Sequence, residues 1–137
     1  HVAMAGTFGY ELDITKLTEE EKRQVEEQVK MYHRFQPLVR EGDYYRIASW
    51  AENHKYDCWQ VVAKDKSEAL VTYVQVLAEP NCHSRKIRLK GLDPEAEYQQ
   101  EDNGQRYKGA LLMYGGVLMP RMEGDFASAM IRFIQIG

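Results

Sequence analysis

The chain has 137 residues, the length of one domain or of one small domain with an appendage. Its 44% apolar and 28% charged residues are typical of a soluble globular protein, and no apolar run approaches the roughly 20 residues that cross a bilayer. A net charge of −3 gives no global field that attracts phosphates, so neither nucleic acid nor a membrane is an expected partner.

The first predicted elements are a strand, a loop and a helix. Residues 2–7 form a short run of small apolar residues, which predicts the end of a buried strand. Thr18 and Glu21 predict a helix start, because each side chain can bond the backbone N–H of the other residue. The helix is predicted to run to about Gln36, since Pro37 disfavours helical geometry in the residue before it.

One face of this helix is apolar. Val25, Val29, Tyr32 and Phe35 recur along it at helical spacing. A single strand and a single helix cannot bury both their apolar sides. We therefore expect that residues 1–40 either dock onto the rest of the chain or complete a larger α/β domain, as if the chain began inside one. The second alternative predicts an exposed apolar face on residues 2–8 and on the helix.

From residue 43 onward the pattern predicts β structure. Strands are expected at residues 44–47, 58–63, 68–77, 85–89, 97–99 and 129–136, whereas residues 110–113 fit a helix or a strand equally. Residues 64–67 predict a hairpin turn. Residues 68–77 are apolar on both faces, which is typical of a central strand covered on both sides. Short strands joined by hairpins favour an antiparallel sandwich.

Metal and thiol chemistry has little support in the sequence. The four histidines are scattered without the spacing of metal ligands, so no metal and no cofactor are expected. Cys58 and Cys82 do not form a C-x-x-C pair. They are interpreted as reduced thiols, with a single disulfide as the alternative.

Carboxylates and aromatic residues are the remaining candidates. Glu11 and Asp13 follow the predicted strand, at the end where α/β enzymes build active sites, but an acidic loop before a helix is ordinary and neither is assigned a catalytic role. Five aromatic residues cluster in sequence, and their main interpretation is core packing. They are Tyr44, Tyr45, Trp50, Tyr56 and Trp59. Trp50, flanked by polar residues, is the best candidate for stacking a sugar ring.

Eight short stretches together carry a family resemblance. They are GTFGYELD at 6–13, LTEEE at 17–21, GDYYR at 42–46, WQVV at 59–62, DKSEALV at 65–71, LAEP at 77–80, RLKGLDP at 88–94 and GDF at 124–126. In this order they resemble the C-terminal end of the family 36 glycoside hydrolases, the bacterial and fungal-type α-galactosidases. Two departures exist: Ala5 stands where members often have Phe, and residues 110–119 match loosely.

The resemblance implies a division of the chain. In that family a (β/α)8 barrel carries catalysis, and an antiparallel β domain packs behind it. Residues 1–42 would be the last βα unit of the barrel, and residues 43–137 the C-terminal antiparallel β-sandwich. The implied fold class is mainly β, preceded by one strand–loop–helix unit. The implied partners are the rest of the barrel, galactosides through the parent enzyme, and further copies in a homo-oligomer.

The resemblance also implies an activity for the parent enzyme: retaining hydrolysis of terminal α-1,6-galactosides such as melibiose and raffinose. Two carboxylates perform this chemistry, and in the family both are aspartates on earlier barrel strands. No residue here matches them. We therefore expect no catalytic, cofactor or metal residue in this chain and no activity of the chain alone. A cytoplasmic location is also expected. The alternative is a free-standing carbohydrate-binding sandwich that uses Trp50.

Overall fold

A computed structural model describes residues 1–137 and contains one long helix and eight strands. The elements are 3-10 turns at Ala3–Ala5 and Ile14–Lys16, helix α1 (Glu19–Glu41), β1 (Asp43–Ala48), the short helix α2 (Trp50–Asn53), β2 (Tyr56–Val62), β3 (Glu68–Gln75), β4 (Lys86–Ile87), β5 (Glu97–Gln100), β6 (Arg106–Lys108), a π-helical turn (Leu111–Gly115), β7 (Val117–Leu118) and β8 (Ala127–Ile136). No helix combines the length and apolar character that crossing a membrane would require.

Six strands form one antiparallel sheet in the order β1-β2-β3-β8-β5-β6. Strand β3 pairs with β2 on one side and β8 on the other, and its six inner residues are all buried. This confirms the prediction of a central strand covered on both faces. The predicted hairpin turn also forms between β2 and β3, with Lys66 at a φ of 62°.

A smaller layer packs on one face of the large sheet. Strands β4 and β7 form a two-stranded sheet beside the π-helical turn, and the main core lies between this layer and the large sheet. Its largest fully buried side chains come from both layers: Tyr98, Phe133, Leu89, Leu112 and Met119. The architecture is therefore an antiparallel sandwich with layers of unequal size. The predicted strand at 85–89 shortens to β4 because its partner β7 has only two residues.

The opposite face of the large sheet carries α1. Phe35 and Leu38, in the C-terminal half of the helix, pack against Val61 of β2 and Leu70 of β3. Val61 and Leu70 are direct cross-strand partners, so their side chains lie on one face. The helix thus contacts the β sheet through one of its ends, and its N-terminal half extends past this contact.

Two local predictions in the first 42 residues are wrong. No strand forms over residues 2–7, because the sheet offers this segment no partner. Its backbone instead closes local bonds, such as the Met4 N–H to the His1 carbonyl at 3.2 Å. Helix α1 also continues past Gln36 to Glu41 with Pro37 inside it, since the buried Leu38 favours helical continuation.

The predicted start of α1 is confirmed. The Thr18 hydroxyl accepts from the Glu21 N–H at 3.2 Å, and the Glu21 carboxylate accepts from the Thr18 N–H at 2.8 Å. Two backbone donors that the helix cannot satisfy internally are thereby paired. The Thr18 N–H and the Thr18 hydroxyl, which donates to the same carboxylate at 2.9 Å, both lower the pKa of the Glu21 carboxyl, the N–H having the larger effect.

Candidate functional site

An apolar surface lies at the N-terminal end of the chain. Val2, Tyr10, Leu12 and Ile14 are exposed, with Ile14 at 63% and Val2 at 60%. We call these four side chains the N-terminal apolar surface. Large apolar side chains exposed within one short segment are typical of a region that contacts another protein segment.

The N-terminal apolar surface is not made of the residues predicted to be exposed, which were residues 2–8 and the apolar face of the helix. Met4 is buried, and Phe8 is half-buried between Tyr32 and Tyr10, at ring distances of 5.1 Å and 5.3 Å. The Tyr32 hydroxyl donates to the Gly6 carbonyl at 3.3 Å. Residues 3–10 therefore fold back on α1, and the exposure moves to Val2 and to the loop that follows Tyr10.

The two acidic residues weighed for catalysis are exposed in that loop. The Asp13 carboxylate accepts from the Thr15 hydroxyl at 2.6 Å and from the Thr15 N–H at 3.0 Å. These bonds, led by the hydroxyl, lower the pKa of the Asp13 carboxyl. Asp13 therefore caps the turn at Ile14–Lys16, and Glu11 is exposed beside it. Their geometry is that of a surface turn.

The five clustered aromatic residues do not form one platform. Trp59 is buried on the α1 face of the sheet, and Tyr56 stacks on Tyr73 at 5.4 Å on the other face. Trp50 is 41% exposed at the start of α2, as predicted, and its ring meets that of His54 edge-on at 5.5 Å. Trp50 is thus a single exposed indole, and the edge-on His54 ring does not extend its face into a flat stacking surface.

A half-buried cluster around the Arg85 guanidinium was missed by the sequence reasoning. The Arg85 guanidinium lies 4.2 Å from the centre of the Tyr56 ring, and it donates to the Tyr73 hydroxyl at 3.3 Å and to Glu79 at 3.0 Å. Lys55 pairs with the same Glu79 at 2.7 Å. Residues this far apart in sequence give no local signal. The cluster ties the loop between β3 and β4 to β2 and β3.

The cysteines are free thiols, so the disulfide alternative is wrong. Cys58 lies in the core, and burial raises the pKa of its thiol to about 12. Cys82 lies partly exposed in the loop before β4. No three His, Cys, Asp or Glu side chains come together in a way that could hold a metal ion.

Comparison with known proteins gives matches over almost the whole chain. The family model described as Glycosyl hydrolase family 36 C-terminal domain matches residues 56–133, and the one described as Melibiase matches residues 1–42. The α-galactosidase AgaA of Geobacillus stearothermophilus is 49% identical over 132 residues, which are 96% of this chain and 18% of that protein.

Solved structures of such proteins match as well. The crystal structure of AgaA matches with a TM-score of 0.92 and 47% identity, covering 98% of this chain and 18% of that one. The α-galactosidase from Lactobacillus brevis also gives a TM-score of 0.92, at 35% identity, covering 98% of this chain and 19% of that one. This chain thus spans less than a fifth of the length of these relatives.

Proposed function

Since the chain belongs to glycosyl hydrolase family 36, we propose that it is the C-terminal, non-catalytic part of an α-galactosidase and supports the catalytic barrel. The observation that carries this proposal is the N-terminal apolar surface. Val2, Leu12 and Ile14 are exposed in a segment that the Melibiase model matches. Burying such a side chain fully contributes about 1.5–3 kcal/mol, so a covering barrel would stabilise both parts.

We propose a boundary at residue 42 within this part. Residues 1–42 would belong to the barrel and residues 43–137 to the C-terminal β domain. The Melibiase match ends at Gly42, directly before β1, which supports this division. Helix α1 would join the two: Phe35 and Leu38 hold the β sheet, while the N-terminal half of the helix faces the barrel.

The chemistry of the parent enzyme is a further part of the proposal. It would be retaining hydrolysis of terminal α-1,6-galactosides of the melibiose and raffinose type, with two carboxylates about 5–5.5 Å apart. This chain would supply neither carboxylate and would meet galactosides only through the parent enzyme. A cytoplasmic location and assembly of the parent as a homo-oligomer remain predictions.

A chimaera tests the proposal. The part of the Geobacillus enzyme that aligns with this chain is replaced by residues 1–137, and hydrolysis of p-nitrophenyl α-galactoside and of melibiose is measured. We expect activity in the chimaera, none in the isolated chain, and none in the Geobacillus enzyme truncated before the replaced part. An inactive but folded chimaera, or an active truncated enzyme, would count against a supporting role.

A matched pair of variants tests the surface itself. Ile14→Asp, at 63% exposure, is expected to abolish activity or assembly of the chimaera, because it places a charge in the contact with the barrel. Leu118→Asp, at 56% exposure on the far layer, is the control and should leave activity unchanged. Both variants should leave the isolated chain folded. Equal activity of the two chimaeras would refute the assigned contact.

The second candidate function is a carbohydrate-binding module, which the exposed Trp50 favours. It predicts galactoside binding in the millimolar range that Trp50→Ala removes. Isothermal titration with melibiose decides this: no heat of binding from the unmodified chain eliminates the module, and loss of binding in the variant supports it.

A further inference from the structure

The loop before β8 presents the most exposed large apolar side chain of the protein. Phe126 is 74% exposed, more than any other large hydrophobic residue. Its φ of 59° lies in the left-handed region, which a residue with a Cβ adopts at a cost in free energy. The other three non-glycine residues with a positive φ are polar: His54, Lys66 and Asn81. An apolar ring is thus held in water, on a backbone conformation that is itself unfavourable.

The segment that carries this ring is fixed to the end of β3. Residues 122–126 are called the Phe126 loop. The Gln75 side-chain NH₂ donates to the Gly124 carbonyl at 2.8 Å. The Asp125 carboxylate accepts from the Ala78 N–H, also at 2.8 Å. These bonds hold the backbone directly before the ring. Unfavourable backbone conformations that the surrounding structure maintains in this way are concentrated at functional sites.

The β domain itself does not bury the ring. Phe126 belongs to neither of the two core clusters. The sequence GDF at 124–126 is nevertheless one of the stretches that carry the family resemblance. Neither the exposure nor the backbone conformation of Phe126 is explained by packing within these 137 residues. Both are explained by a partner that covers the ring.

The start of the chain lies at the same end of the large sheet. His1 Nδ1 is 2.8 Å from Ser128 Oγ, and Ser128 lies in β8, two residues after Phe126. Val2, which belongs to the N-terminal apolar surface and is 60% exposed, directly follows His1. The Phe126 loop therefore lies close to a segment that the Melibiase model matches. This continuity favours the catalytic barrel as the partner, because residues 1–42 would belong to it.

We propose that Phe126 is an anchor through which the β domain binds the catalytic barrel directly, its ring entering an apolar pocket on the barrel surface. This rests on the proposed function and adds a second contact to it. The N-terminal apolar surface reaches the barrel through residues 1–42, whereas Phe126 belongs to the sheet domain itself. Burial of a phenylalanine ring removes a large apolar area from water. Because its backbone is fixed in advance, little conformational freedom is lost when the contact forms.

Photo-cross-linking identifies what covers the ring. Phe126→p-benzoylphenylalanine is introduced into the chimaera of residues 1–137 with the Geobacillus enzyme, and cross-linked peptides are mapped by mass spectrometry after irradiation. We expect cross-links from position 126 to the barrel of the same chain. Tyr114→p-benzoylphenylalanine, at 72% exposure in the π-helical turn, is the control and should give none to the barrel. Cross-links only between two chains, seen as a doubled mass on a denaturing gel, or none at all, would overturn the proposal.

Phe126→Asn tests the same contact by its effect on stability. Asparagine tolerates a positive φ better than phenylalanine does, so the melting temperature of the isolated chain should stay unchanged or rise. In the chimaera the substitution should lower the melting temperature by about 2 °C or more, because the barrel loses the ring. Tyr114→Asn should lower neither. A decrease in the isolated chain would mean that the ring stabilises the β domain itself, and no decrease in the chimaera would mean that the barrel does not bind it. Either result would overturn the proposal.

The two measurements separate this contact from the supporting role proposed above, since neither requires hydrolysis. An inactive chimaera that forms the cross-link to the barrel would contradict the supporting role and confirm the contact. An active chimaera without that cross-link would contradict the contact alone.

Discussion

Phe35→Ala in α1 is expected to release the helix from the β sheet without unfolding the sheet. Phe35 is 7% exposed and belongs to a cluster of four buried residues, with Leu38, Val61 and Leu70. At about 1.5–3 kcal/mol for each buried side chain, the cluster contributes roughly 6–12 kcal/mol before entropy is subtracted. A buried Phe→Ala change costs about 3–5 kcal/mol, so it removes roughly 40–50% of that contribution.

The helix cannot compensate for this loss by itself. Most helical stability in proteins comes from the packing of an apolar face rather than from propensity, and α1 packs on the sheet through the Phe35–Leu38 cluster. Hydrogen exchange measured by mass spectrometry should therefore show loss of protection along α1, while β3 and β8 keep theirs. Circular dichroism should show a parallel loss of helical signal in the isolated chain.

Val25→Ala is the matched control for this experiment. Val25 lies half-buried in the N-terminal half of the same helix and is not part of the cluster on the sheet. Its replacement should cost no more than about 1 kcal/mol and leave protection around Phe35 intact. If Phe35→Ala removed protection from α1, β3 and β8 together, the helix and sheet would form one cooperative unit, and the idea of a releasable helix would be wrong.

Two further predictions concern the β domain. Gly109→Ala should lower the free energy of unfolding in urea by at least about 2 kcal/mol, because its Cβ would lie 1.9 Å from the Asp93 carbonyl oxygen. The control is Gly9→Ala, whose Cβ meets nothing within 4 Å and which should change that free energy by less than about 0.5 kcal/mol. Equal effects of the two variants would contradict the argument. The Cys58 thiol, with its pKa raised from 9.0 to about 12, should hold about a thousandfold less thiolate at pH 8 than an ordinary thiol. Iodoacetamide should then modify Cys82 before Cys58, and equal alkylation of both cysteines would refute this. The urea concentration at the unfolding midpoint should also decrease as the pH is raised from 9 to 12, because the unfolded Cys58 thiol ionises at a lower pH than the folded one.

Local signals in the sequence predicted those elements that short-range physics determines. The Thr18–Glu21 capping box sets the start of α1 because both partners lie within one turn. The hairpin at residues 64–67 and the apolar run of β3 are likewise set by neighbouring residues. The family resemblance predicted membership of glycosyl hydrolase family 36 and a sheet domain preceded by a helix, because it draws on residues spread over the whole chain.

Features that depend on distant partners were not predictable in the same way. Residues 2–7 have a strand-like composition, but a strand needs a neighbour, and the sheet provides none there. Leu38 continues α1 past Pro37 only because Val61 and Leu70 bury it. The cavity between the β5–β6 hairpin and β7 exists only because these three strands meet, and no local pattern in the sequence predicts it.

The position of β8 in the sheet has a consequence for the synthesis of this protein. Strand β8 lies between β3 and β5, although five strands of the same sheet precede it along the chain. While a ribosome is still translating residues before Ala127, β3 has an open edge, and β5 and β6 form only a two-stranded hairpin, which is marginal in water. The sheet therefore closes only after the chain has been made through Ile136, and a nascent chain stalled before that point would expose β3 to other chains.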